Sequence, residues 1–165
     1  RLFNQSAWPV ISCTGLAHVL QGRDDLERLT PALAEMLVRG RAFRGTDLFE
    51  ALTLVRQLQS ALHDVFRRHD LVLTPTSAAM PWPADESHPT KIVGQTVDGR
   101  GHAVFTAFVN GCGLPALALP AGSAQHLPVG IQLVGPTGSD SLLLAIAQAC
   151  DNEIATAARV GWPLL

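Results

Sequence analysis

The chain has 165 residues, 47% of them hydrophobic and 16% charged, enough for one buried core in an ordinary globular domain. A formal net charge of −2 with scattered arginines leaves no basic stripe for a phosphate backbone, which excludes nucleic acid as a direct partner. No apolar run approaches the ~20 residues that cross a bilayer, and RLFNQSAWPV has none of the regions of a signal peptide, so the expectation is a cytoplasmic protein without membrane contact.

In chain order, Trp8 to Leu20 fits a helix better than a strand, with Pro9 tolerable in the first turn. Asp24 and Asp25 offer N-caps for a short helix. Thr30-Pro31 gives a cap followed by proline at the first helical position, and it predicts a helix carrying Leu33, Met36 and Leu37 that stops at Gly40. From Asp47 to about His69, Leu48, Leu52, Val55, Leu58, Leu62, Val65 and Phe66 recur at helical steps. That spacing predicts an amphipathic helix about 35 Å long. The whole stretch 1–69 therefore reads as mainly helical, and 70–75 as a strand. In that strand Leu71, Val72 and Leu73 form an apolar run buried on both faces, ended by Pro75, which has no N–H to donate.

Residues 76–101 show no periodicity, only prolines, glycines and charges around Trp82, and are expected to form a long loop that is a lid, a binding loop or a mobile segment. His102 to Gly111 returns to helical spacing, with Gly111 and Gly113 available to cap its end. Two strands, PALALPAG and PVGIQLVGP, are then joined by SAQHL, and a final helix runs to Cys150 with Leu142, Leu143, Ile146 and Ala149 on its apolar face. The order helix, strand, loop, helix, hairpin, helix over 102–165 and before it predicts an α/β fold with a sheet covered on both faces.

Cys13, Cys112 and Cys150 are odd in number and widely spaced, so they read as reduced thiols. The histidines His18, His63, His69, His88, His102 and His126 show no metal-ligand spacing and read as surface or capping residues, with no metal expected. A Ser123/His126 pair at the hairpin tip has no orienting carboxylate near it in sequence.

Three stretches taken together, DLVLTPT, FTAFVNGCGLPALALPAG and LPVGIQLVGPTGSDSLLLAIA, resemble the C-terminal part of the amidase signature enzymes. The resemblance implies an α/β fold with a mixed β-sheet flanked by helices, of which 1–165 would be the C-terminal segment of a single domain. A start at Arg1 rather than Met points the same way. It further implies hydrolysis of amide C–N bonds by a serine, a second serine in a cis peptide, and a lysine, without a cofactor. The chain has no Ser-Ser pair, and its single lysine, Lys91, stands in HPTKIVGQ, so no catalytic residue of that set is expected here and the chain alone is predicted inactive.

Candidate substrate-binding residues are Trp82, Thr106 and Asn110. Trp82 either walls a pocket for a small-molecule amide or pins its loop to the body. Thr106 and Asn110 share a helical face, and asparagine in such a position also satisfies backbone groups at a helix end. The A subunits of glutamine-dependent aminoacyl-tRNA amidotransferases share the pattern. The resemblance places an acidic residue there for the α-amino group of glutamine, three positions before the motif threonine, where this chain has Ala103. That favours a general amidase over a glutaminase. The other alternative is a non-catalytic interaction or complementing module. Uncovered strand edges in either case predict self-association of the isolated segment. The punctuating residues Pro115, Pro120, Gly122, Gly130 and Gly135, and the apolar residues Leu117, Leu119, Ile131 and Leu133, are read as packing elements of the scaffold.

Overall fold

A computed structural model describes residues 3–159. The chain divides between Gln59 and Ser60 into two compact units, and the boundary lies inside one long helix.

In the first unit a π-helical turn, Phe3–Ala7, runs into α1, Trp8–Val19. Asp25 does not cap the short helix expected after it. Its carboxylate is held by Arg23 at 2.7 and 2.8 Å, and only a 3-10 turn, Leu26–Arg28, follows. The next helix, α2 at Pro31–Ala42, starts where the Thr30-Pro31 pair places it, with the Leu33 N–H donating to Thr30 Oγ1 at 3.4 Å. Gly40 does not stop it. A Cβ on Gly40 would collide with the Cys13 carbonyl of α1, so this glycine is the point where the two helices approach backbone to backbone.

The long helix α3 spans Gly45–Phe66, starting before and ending ahead of the expected 47–69. Asp47 sets the start from inside the first turn: its carboxylate accepts the Arg44 N–H at 2.8 Å and pairs with the Arg44 guanidinium at 2.9 Å. Ala51 and Val55 are its buried residues, whereas Leu52, expected on the apolar stripe, is 40% exposed.

The second unit contains β1 (Val72–Pro75), β2 (Lys91–Ile92), β3 (Gln95–Thr96), α4 (Ala107–Cys112), β4 (Ala116–Ala124), β5 (Leu127–Val134) and α5 (Asp140–Arg159). Strands β1, β5 and β4 form an antiparallel sheet with β5 in the middle, Val134 facing both Val72 and Ala116. The α/β class is as expected, but the burial is not. Only the end of β5, from Gln132 to Val134, is buried on both faces. The edge strand β1 alternates, leaving Leu73 62% exposed, and β4 alternates likewise along Ala116–Pro120. The hairpin is tighter than SAQHL suggested. Ser123 and Ala124 pair with Pro128 and Leu127, so the turn is Gln125-His126, both at positive φ, and an irregularity between Pro120 and Ser123 absorbs the register shift.

Helix α5 lies against β4. Its backbone continues to Arg159, beyond the expected end at Cys150. Leu143 is buried with Ile146, Ala147 and Cys150 turned partly inward, one position off the predicted face, and Leu142 and Ala149 are exposed. The stretch 76–101 is not structureless: β2 and β3 form a two-stranded ribbon closed by Val93-Gly94, and a 3-10 turn, Gly101–Ala103, follows it.

Gly15 and Gly40, both inside α-helices of the first unit, separate packing from propensity. Gly15 in α1 has nothing near a Cβ, so Gly15→Ala is expected to stabilise by about 0.5–1 kcal/mol, whereas Gly40→Ala is expected to destabilise by about 1–3 kcal/mol. Urea midpoints of the two variants check this. Equal shifts would remove the close crossing as the role of Gly40.

Candidate functional site

The three motif stretches meet on one side chain. Gln132, in the centre of β5 and only 7% exposed, donates through Nε2 to Thr74 Oγ1 of β1 at 3.0 Å and to the Phe105 carbonyl at 2.8 Å. The Phe105 carbonyl needs this donor because the Val109 N–H bonds the Thr106 carbonyl instead, leaving Phe105 outside the ladder of α4. Two residues earlier in β5, Gly130 lets Thr76 approach: its carbonyl accepts both the Thr76 N–H and hydroxyl at 3.1 Å, and a Cβ there would lie 2.8 Å from that hydroxyl. Residues 74–76 and 105 are thus fixed to β5 by polar contacts in a strand otherwise apolar.

On this platform stands the turn 101–106. Thr106 donates its hydroxyl to the Ala103 carbonyl at 3.3 Å, a local bond. Asn110 lies one helical turn on, exposed, and contributes its backbone carbonyl, rather than its side chain, to the helix end: the Gly113 N–H reaches it at 3.3 Å and the Leu114 N–H reaches Val109 at 3.1 Å, with Gly113 left-handed. Gly113 makes the cap, and Gly111 is within the helix.

Trp82 packs its ring on His102, centroids 5.0 Å apart, and spends its N–H on the Glu86 carbonyl at 3.0 Å. It offers a ring face and no donor. Trp82 and the 102–106 turn therefore form one neighbourhood, while no hydrogen bond or ring contact joins Trp82, Thr106 and Asn110 directly among the described residues. Burial, followed by the charges of Arg100 and His88, pushes the His102 imidazole below its ordinary pKa. Burial pushes the Cys112 thiol up, keeping it protonated and unreactive. At the hairpin tip His126 occupies the turn and Ser123 the ladder, and Lys91 is exposed on the ribbon.

Sequence reasoning passes over Gln132 and reads His102 as a surface or capping residue. A signal for Gln132 does exist: a lone amide inside GIQLVG is either exposed or paired, and a central strand leaves only pairing.

The amidase family profile matches residues 27–144, most of the chain. The glutamyl-tRNA(Gln) amidotransferase A subunit of Thermus thermophilus is 37% identical over 105 residues, 62% of this chain and 20% of the relative. Its namesake from Lawsonia intracellularis is 39% identical over 82 residues, covering 50% and 16% of the two chains. Among solved structures, an amidase superposes with a TM-score of 0.81 at 22% identity over 93% of this chain and 37% of its own. A bacterial aryl acylamidase of the amidase signature family gives 0.73 at 22% identity, over 94% and 34%. The chain belongs to the amidase family, and the fold it shares with these structures is the amidase signature fold. It spans about a fifth of the length of the curated relatives it matches.

Two measurements test the site. Gln132→Met keeps the shape but strands two acceptors and is expected to cost about 1–3 kcal/mol in urea unfolding. Gln132→Glu sets a carboxylate against the Phe105 carbonyl and is expected to be worse at neutral pH, recovering as acid protonates it. A glutamate variant as stable as the methionine variant at pH ~7 would remove the donor role. His102, with its folded pKa below the 6.5 of a free imidazole, stays neutral when the unfolded chain takes up a proton. Stability from this group is present above the unfolded value and is lost as pH falls through the window below it, so His102→Phe is expected to flatten the acid side of the wild-type stability profile. Parallel profiles for the two proteins would show that His102 titrates normally.

Proposed function

We propose that this chain is the C-terminal portion of a cytoplasmic amidase that hydrolyses small-molecule carboxylic amides. The serine nucleophile, the cis-peptide serine and the lysine base would come from the part of the amidase domain that precedes it. The observation that carries this reading is the convergence of the three motif stretches on Gln132, which makes them one platform rather than three independent matches. On that platform Trp82 supplies an aromatic face, and Thr106 at the start of α4 and Asn110 near its end are the remaining candidate substrate contacts. The exposed edge strand with Leu73 is the surface that the rest of the sheet would cover, and in the isolated chain it favours self-association.

A second reading, the A subunit of a glutamine-dependent aminoacyl-tRNA amidotransferase, is favoured by the names of the relatives and opposed by Ala103, which has no charge for an α-ammonium group. Assay of the purified chain against aliphatic and aryl amides is expected to give no turnover. Turnover that survives repurification and disappears with Lys91→Ala would sink the assignment of catalysis to the preceding part. In the complete polypeptide, Trp82→Ala is expected to reorder kcat/KM among amides of different acyl size, by about 1–3 kcal/mol per apolar group. Glutamine as the best substrate would instead select the amidotransferase reading.

A further inference from the structure

Gln132 uses both of its amide hydrogens, one on Thr74 Oγ1 at 3.0 Å and one on the Phe105 carbonyl at 2.8 Å. A carbonyl only accepts, so the contact with Phe105 fixes which end of the amide is nitrogen. The other end, Oε1, accepts no hydrogen bond among the described residues, and it keeps access to solvent although the residue is only 7% exposed. Thr74 complements it. Its oxygen accepts from Gln132, and its own O–H has no acceptor among the described residues. The two residues are register partners, and covalent geometry keeps Oε1 beside Nε2, so a free acceptor and a free donor stand together on one face of the sheet. Their neighbours on that face are small. Ala118, the register partner of Gln132 on β4, is exposed, and Gly130, two residues before Gln132, has no side chain, its carbonyl already taken by the Thr76 hydroxyl at 3.1 Å.

We propose that Gln132 and Thr74 form a binding site for a neutral carboxamide group, whose N–H meets Gln132 Oε1 and whose carbonyl accepts the Thr74 O–H. A carboxylate of the same shape has no N–H and sets its charge against the Oε1 lone pairs, and a tertiary amide has no N–H to give. Each leaves a polar group of the site unpaired, which is how such a site rejects a near-isostere. A single water also fits both groups, and a carboxamide displaces it by reproducing both of its bonds. Neither side chain is ionisable, so the pair orients what it holds and leaves the chemistry to other groups. In the complete enzyme it selects substrates by a carboxamide group over the corresponding acid. That role in selection rests on the amidase reading, whereas the binding itself does not.

The experiment titrates the purified chain with acetamide, sodium acetate and N,N-dimethylacetamide at constant ionic strength, and follows the Gln132 side-chain NH2 and Thr74 methyl signals by NMR. Saturable movement of both signals is expected with acetamide, with acetate and dimethylacetamide binding at least about tenfold more weakly. Thr74→Ser keeps the hydroxyl and is expected to hold acetamide within about twofold of wild type, whereas Thr74→Val is expected to weaken it at least about tenfold. Backbone amide spectra check that each variant is folded, and if Thr74→Val fails to fold, the three ligands on the wild-type chain decide alone. Shifts that never saturate, equal binding of the three ligands, or a water contact to Thr74 that persists unchanged as acetamide is added would overturn the proposal. Because no turnover is measured, a failure here leaves the amidase reading standing, and an inactive enzyme that binds acetamide leaves this site standing.

Discussion

A single buried amide organises the second unit. The N–H groups of Gln132 have no solvent to turn to in the middle strand, so they need acceptors, and the two they find belong to segments far away in sequence: Thr74 on β1 and the Phe105 carbonyl ahead of α4. The bond works in both directions. It satisfies the amide N–H groups, and it fixes a turn whose own helix leaves a carbonyl unused. Apolar packing alone tolerates a strand sliding by small amounts; two directional bonds from one side chain do not.

This constraint explains how a long irregular segment is held in a defined place. The stretch between Thr76 and Ala103 has little apolar surface of its own, yet both of its ends are tied to β5, one through Thr76 on the Gly130 carbonyl and the other through Phe105 on Gln132. Between those anchors the chain closes on itself through the Lys91–Thr96 ribbon, the Trp82 N–H on Glu86 and the Trp82–His102 ring contact. A variable surface segment on a fixed frame is the usual arrangement where recognition is adjusted without disturbing the fold.

In the first unit the governing contact is steric. α1 and α2 approach so closely at Gly40 that no side chain fits between that residue and the Cys13 carbonyl. Glycine at this position reads from sequence as a helix stop, because isolated glycine near the end of an apolar pattern most often is one. Helix propensity disfavours it and the crossing requires it.

The sequence by itself determined whatever is local or periodic. Thr30-Pro31 set the start of α2, the stripe from Leu48 to Phe66 set α3, Pro75 ended β1, and three ordered motifs were enough to name the family. The tertiary structure alone decided which faces are covered and which polar groups meet. Leu73 looks like core in a run of apolar residues and is exposed because β1 is an edge, and Leu143 rather than Leu142 turns inward on α5. The two-residue turn at Gln125-His126 follows from register, which composition does not encode. The roles of Gln132 and His102 depend on partners up to 58 residues away, and periodicity sees only neighbours on one helix or strand. Burial and hydrogen bonding between distant segments are properties of the folded arrangement, so the partners of Gln132 and His102 became legible only there.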